Sequence, residues 1–342
     1  MNRSDFLIRL LRYYEETGFK GCICIGDSSN SEHIERVKRV IETLQGRLNI
    51  VYREYPDLNA ADSFKQLVDL VTTPYAALLA DDDLLVPTAL NKCAKFLEEY
   101  PDYAAAHGIG LIIGLDSEGP YGRVVRCEYY QQPVIEAESA SQRLNDHMRN
   151  YHPTVHSLHR IESWRAMYRE VHLIKDTTFG AELLPCCKSV ILGKSKELDC
   201  LYVIRQVHVQ QYLLPDFYDW ITSPVWYSSY IVFREGLAEA LALQDNISIE
   251  KAHTLVKEAF LPYLDIFLSQ GSGAWRGSRF RQIARTNRLA RRICQLLRSL
   301  KPKEHSEISL SALLSASSPY HADFMPIYKA ITTSPTRQES IC

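Results

Sequence analysis

Apolar side chains along the first hundred residues switch between two spacings. Phe6, Leu7, Leu10, Leu11 and Tyr14 fall on one helical stripe, and the run Gly21-Cys-Ile-Cys-Ile-Gly26 reads as a short buried strand closing on Asp27-Ser28-Ser29-Asn30. Ser31 is positioned to cap a second helix bearing Ile34, Val37, Ile41 and Leu44, and a second strand is predicted over 48–53. A third helix over 62–71 carries Phe64, Leu67, Val68 and Val71 and leads into the apolar strand 75–80. Pro87 then suits the first turn of a fourth helix, with Leu90, Cys93, Phe96 and Leu97 turned inward. Strands alternating with amphipathic helices through short loops imply βαβ units. The predicted class is α/β, a doubly wound, mostly parallel sheet with a C-terminal helical extension.

Past residue 104 the pattern loosens, with strands expected over 104–114 and 123–130 and helices over 137–150 and 182–192. After Pro215 an aromatic-rich segment, including Phe217, Trp220, Trp226 and Phe233, leads into helices, where such rings are expected to pack rather than form a binding platform. Three regions follow: an α/β domain over 1–215, a helical extension over 216–303, and a Ser-rich, partly mobile tail over 304–342.

Composition narrows the class. With 342 residues, 46% of them hydrophobic and 23% charged, the chain can bury a sizeable core, which excludes a disordered or collagen-like protein. A net charge of −2 carries no footprint for nucleic acid. Nine scattered cysteines without a Cys-x-x-Cys pair suggest reduced thiols in a cytoplasmic chain. No apolar leader follows Met1, and no uncharged run reaches the roughly 18 residues of a spanning helix, so a soluble or peripheral protein is expected. The average hides one asymmetry, because 275–303 holds ten basic residues and no acidic one, with Phe280, Ile283, Ile293, Leu297 and Leu300 on a stripe. Such a helix suits an anionic membrane surface at the inner face of the membrane, or else packs on the domain with its arginines in solvent.

In doubly wound sheets ligands bind beyond the carboxyl ends of the strands. Two polar clusters sit there: Asp27-Ser28-Ser29 and Asp81-Asp82-Asp83. Three adjacent carboxylates repel one another unless a cation or hydrogen-bond donors offset them, and hard Mg²⁺ or Mn²⁺ serves that purpose while keeping positions open for phosphate oxygens. Strand alternation would send Asp81 and Asp83 to one side and Asp82 to the other. The alternative is a solvated acidic turn ahead of the Pro87 helix.

Taken together, the helix with Arg3, Leu7, Leu10 and Leu11, the strand ending in Asp-Ser, and Tyr-Ala-Ala-Leu-Leu-Ala-Asp-Asp-Asp at 75–83 resemble family 2 glycosyltransferases of the GT-A fold, over about residues 3–210. The resemblance implies a nucleotide-sugar donor, UDP-linked, and an acceptor hydroxyl on a saccharide or lipid-linked glycan. It implies that Asp27, with Ser28 beside it, meets the uracil base. Asp81 and Asp82 would lie at the ribose and donor, and Asp81 and Asp83 would hold Mg²⁺ or Mn²⁺ against the diphosphate. Phe179-Gly-Ala-Glu-Leu-Leu184 stands where the family carries an acidic general base, which makes Glu182 the candidate and Asp176 the reserve. In Val203-Ile-Arg-Gln-Val-His208, Arg205 would reach the diphosphate and His208 the metal. Lys65 would touch a phosphate, or face solvent on its helix. The implied activity is metal-dependent, inverting sugar transfer. One departure stands out: the family's first strand, ending just before the Asn-Arg of this helix, has no counterpart ahead of Asn2-Arg3, which implies either a start further upstream or a weakened or inactive protein. Two rival readings are a nucleotidyltransferase, which needs a Gly-rich phosphate loop, and a non-catalytic scaffold held at a membrane surface.

Overall fold

Helix α1 (Ser4–Glu16) buries Phe6, Leu10, Leu11, Tyr13 and Tyr14 as its spacing predicts, and buries Arg9 among them. Just past its end Gly18 takes φ of 63°, a left-handed turn that glycine makes without strain, and redirects the chain into β1 (Cys22–Asp27). The computed structural model describes residues 1–56, 58–132, 134–209, 215–286 and 308–334, with 267 and 269–286 described by backbone. Asn30, rather than Ser31, caps α2 (Ser31–Thr43): its side chain accepts from the His33 N–H at 3.2 Å. Asn59 does the same for α3 (Ala60–Leu70), accepting from the Asp62 N–H at 3.0 Å.

Strand β1 pairs in parallel with β2 (Asn49–Glu54), joined through α2. The larger sheet contains β3 (Tyr75–Ala76), β4 (Leu84–Leu85), β5 (Tyr103–Leu115), β6 (Val124–Tyr130), β7 (Leu158–Arg160) and β8 (Lys194–Val207), in the order β3-β7-β5-β8-β4 with β6 on β5. Helix α4 (Pro87–Glu99) lies between β4 and β5 in the chain. Helices α5 (Ala140–Arg149) and α6 (Ile161–Met167) flank β7, and α7 (Leu184–Leu192) precedes β8. The α/β class is present, and its pairing is mixed rather than mostly parallel. β5 and β8, connected through helices, run parallel, whereas β6, reached from β5 by a loop, runs antiparallel, as do β7 on β3 and β5 and β4 on β8. The strand expected over 75–80 keeps its ladder only at Tyr75–Ala76, because its partner β7 spans three residues and pairs only there. Among the described residues no ladder joins β1 to β3.

Two apolar cores result. One joins α1, α4 and the strands, and it is closed by the C-terminal helices α11 (Leu310–Leu314) and α12 (His321–Thr332). Phe324, Ile327 and Ile331 are completely buried in it, and the Gly122 N–H donates to the Ile331 carbonyl at 2.9 Å. Residues 308–334, expected to belong to a mobile tail, are therefore docked. The other core gathers α5, α6 and α7 with α8 (Phe217–Ile221), α9 (Trp226–Asp245) and α10 (Ile249–Thr286) around Phe179, Trp220, Phe233 and Phe260. The aromatics after Pro215 are packing residues, and since their helices share a core with α5–α7, residue 215 does not divide two cores. Among the described residues the cysteines are free thiols, and no helix is long and apolar enough to cross a membrane. The side chains of the basic stretch 275–303 lie outside the described residues, and so does its membrane-surface reading.

Candidate functional site

Register on β8 fixes the acidic cluster. β4 lies antiparallel on β8 with Leu84 opposite Ile204. Continued by one residue, this pairing puts Asp83 against Arg205, whose Nε donates to Asp83 Oδ2 at 3.1 Å, while the Gln206 N–H donates to Oδ1 at 3.1 Å. Asp83 is almost completely buried, and burial pushes its carboxyl up to about 7 against the pull of Arg205.

The remaining two aspartates are met by the start of α1. Arg3 donates to Asp81 through Nε at 3.2 Å and through Nη2, and to Asp82 Oδ2 through Nη1 at 2.8 Å. Burial raises Asp81 above the ordinary carboxylate value, and Arg3 opposes the rise. His208 Nε2 lies 2.8 Å from Asp82 Oδ2, and its ring stacks on Phe6 with centroids 4.6 Å apart. Arg9, 1% exposed, ties the cluster to the helix: it donates to the Asp82 carbonyl at 2.6 Å, to the Pro120 carbonyl at 2.8 Å and to the Gln206 side chain. Burial draws Arg9 down to about 10.

This arrangement settles what holds the carboxylates together in the fold. Asp81 is held by Arg3, Asp82 by Arg3 and His208, and Asp83 by Arg205 and a backbone N–H. Asp81, Asp83 and His208 do not converge as a ligand set, and no group of three His, Cys, Asp or Glu side chains among the described residues is arranged to hold a metal. The donor set as it stands does not fit Mg²⁺ or Mn²⁺; a divalent ion would have to displace an arginine.

At the end of β1, Asp27 is oriented by two donors, Tyr52 Oη on Oδ2 at 2.8 Å and the Ser29 N–H on Oδ1 at 2.9 Å. Ser28 is half-buried beside it. Glu182 sits in a π-helical turn, Thr178–Leu183, which runs into α7; such turns recur at functional positions because the extra residue re-aims a side chain. Tyr151 Oη donates to Glu182 Oε1 at 3.1 Å. Burial raises the Glu182 carboxyl above its ordinary value, opposed by Tyr151 and by the charge of Arg205. Arg205 thus acts on both Asp83 and Glu182.

No protein-family model matches this chain. No curated protein matches it either. Among solved structures, S. aureus TarS aligns at 14% identity over 76% of this chain and 41% of that one, with a TM-score of 0.46. The chain thus spans less than half the length of that protein. TarS 1-349 in complex with UDP-GlcNAc aligns at 13% identity over 78% of this chain and 70% of that one, with a TM-score of 0.47.

Two of the sequence-predicted residues lie elsewhere. Lys65 points along α3 to Asp69 Oδ2 at 3.3 Å, one helical turn away and partly in solvent, so it is a surface ion pair. Asp176 is a buried structural carboxylate: its Oδ1 accepts from the Phe179 N–H at 2.9 Å and from Trp220 Nε1 at 3.0 Å, which occupies it in capping the π-helical turn. Arg9, Gln206, Tyr52, Tyr130 and His156 were not singled out from the sequence. Only Arg9 carried a signal, a charge inside the apolar stripe of α1.

Proposed function

We propose that this protein is a glycosyltransferase that moves a sugar from a nucleotide sugar, UDP-linked, to a hydroxyl of a saccharide or lipid-linked acceptor, with inversion at the anomeric carbon. The observation that carries the reading is that Arg205, bonded to Asp83 at the acidic cluster, also exerts its charge on Glu182 in the π-helical turn. The cluster's cations suit a diphosphate leaving group. Glu182 suits the proton of an attacking hydroxyl.

Each step has a residue of this chain behind it. Asp27, its two oxygens oriented by Tyr52 and Ser29, keeps lone pairs free to accept the N–H of a uracil ring. Arg205 and Arg3, fixed by the aspartates, offer preorganised positive charge to phosphate oxygens, which counts for more in a partly buried site than in water. Glu182 removes the proton as the acceptor oxygen attacks, and its raised carboxyl lies nearer working pH than a free glutamate does. In one displacement the acceptor oxygen forms the new bond to the anomeric carbon while the diphosphate leaves with the bonding electron pair. Mg²⁺ or Mn²⁺, which the resemblance implies, enters no step here, because the carboxylates are already held by arginine.

The test is release of UDP from UDP-GlcNAc, the nucleotide sugar held in the TarS structure, by the wild type and by Glu182→Gln. The proposal expects turnover that falls about 10²–10⁴-fold in the variant, with UDP affinity kept. A variant that turns over like the wild type removes Glu182 from the reaction.

A further inference from the structure

His156 stands just ahead of β7, 7% exposed, with its backbone carbonyl accepting from Tyr202 Oη at 2.8 Å. Its ring nitrogen Nδ1 is buried and has no hydrogen-bond partner. A neutral imidazole carries one N–H and one lone pair, so Nδ1 has one or the other to satisfy. Burial and, secondarily, the charge of Arg205 hold the imidazole down at about 3, so the ring is neutral under physiological conditions. A buried ring nitrogen without a partner is costly, and native structures keep few of them without a use.

Its neighbours locate that use. The Tyr130 ring meets His156 edge-on with centroids 6.5 Å apart, and the Arg205 guanidinium lies over the same ring at 5.0 Å. Arg205 is bound to Asp83, and Asp82 also bears on the imidazole. His156 therefore lies beside the acidic cluster, on the side of Tyr130 and Arg205. The charge of Arg205 disfavours a cation there. A hydroxyl, which both donates and accepts, satisfies Nδ1 in either tautomer.

We propose that His156 Nδ1 hydrogen-bonds a hydroxyl of the transferred sugar, and so helps to select the donor's hexose. The inference rests on the nucleotide-sugar reading. Its place on the Tyr130 side of Arg205, the cation that would meet a diphosphate, assigns the hydroxyl to the donor sugar rather than to the acceptor.

Calorimetric titration of UDP, UDP-glucose and UDP-GlcNAc into the wild type, His156→Phe and His156→Asn tests it. Phenylalanine removes the nitrogen, whereas the asparagine amide keeps a hydrogen-bonding group near the place of Nδ1. The expected result is an affinity of His156→Phe for the better-bound UDP-sugar that is about three- to tenfold weaker, with UDP affinity unchanged, and recovery in His156→Asn. Retained UDP affinity also reports that the variants are folded. If His156→Phe weakens UDP and UDP-sugar alike, or weakens neither, or if His156→Asn is as impaired as His156→Phe, this inference is overturned while the nucleotide-sugar reading stands. Loss confined to sugar transfer, with both affinities kept, places the hydroxyl on the acceptor and overturns it as well. A wild type that binds no UDP overturns the nucleotide-sugar reading and this inference with it.

Discussion

Replacing Arg3 by alanine removes the cation shared by Asp81 and Asp82. Three guanidinium nitrogens are involved, two on Asp81 and one on Asp82. A hydrogen bond to a charged group contributes about 1.5–3 kcal/mol, and removing one partner of a buried ion pair costs roughly 3–5 kcal/mol. The Asp81 side chain is 24% exposed, so water recovers part of its loss, and Asp82, at 6%, keeps His208. These discounts leave an expected loss of about 2–4 kcal/mol, measured by urea denaturation of Arg3→Ala against the wild type. The same substitution uncovers two neighbouring carboxylates, so millimolar Mn²⁺ should raise the melting temperature of Arg3→Ala by more than that of the wild type. Arg3→Lys should recover part of the stability, because an ammonium supplies the charge but cannot span both carboxylates as a planar fork does. An Arg3→Ala protein as stable as the wild type, or equal Mn²⁺ effects on both, would refute the view that Arg3 is the cation of this cluster.

Further outcomes can be checked in the same protein. Burial raises the Glu182 carboxyl, and a base works only when ionised, so kcat/KM for UDP-sugar turnover should rise with pH through a value above the ordinary glutamate range; a limb at or below that range contradicts the role. Phe324→Ala should cost about 3–5 kcal/mol in chemical denaturation, because the ring is completely buried in the core shared by α1 and α12; a loss under 1 kcal/mol would mean that α12 is not docked. Lys65→Ala should change stability by no more than about 0.5 kcal/mol and leave UDP affinity alone, as a partly exposed pair with Asp69 allows.

What the chain disclosed in advance follows the range of its interactions. Local periodicity was sufficient for α1 and α4, whose buried positions repeat every three or four residues, and for α2, which buries Val37 from its apolar stripe. It could not show that 77–80 lack a ladder, since that depends on which strand lies alongside. Nor could it show that β4 runs antiparallel on β8, the register that sets Asp83 against Arg205. Motif order brought Asp27, Asp81, Asp83, Arg205 and Glu182 into view. Asp176 and Lys65 misled because a carboxylate before a helix and a lysine on one look the same in sequence whether they serve a ligand, a cap or solvent. Arg3 was visible only as part of a helix signature, and its pairing with Asp81 spans 78 residues. His156 carried no local sign at all, because its orphaned nitrogen exists only once Leu78, Tyr130 and Arg205 surround it.

The central claim is that the carboxyl ends of the strands bind a uridine nucleotide. Calorimetric titration of UDP and CDP into the wild type and Asp27→Asn tests it most directly, since uracil presents an N–H to Asp27 where cytosine presents a lone pair. The account predicts that the wild type binds UDP, and that CDP on the wild type and UDP on Asp27→Asn each bind about tenfold more weakly or worse. No UDP binding by the wild type, or equal affinity in all three titrations, would contradict it.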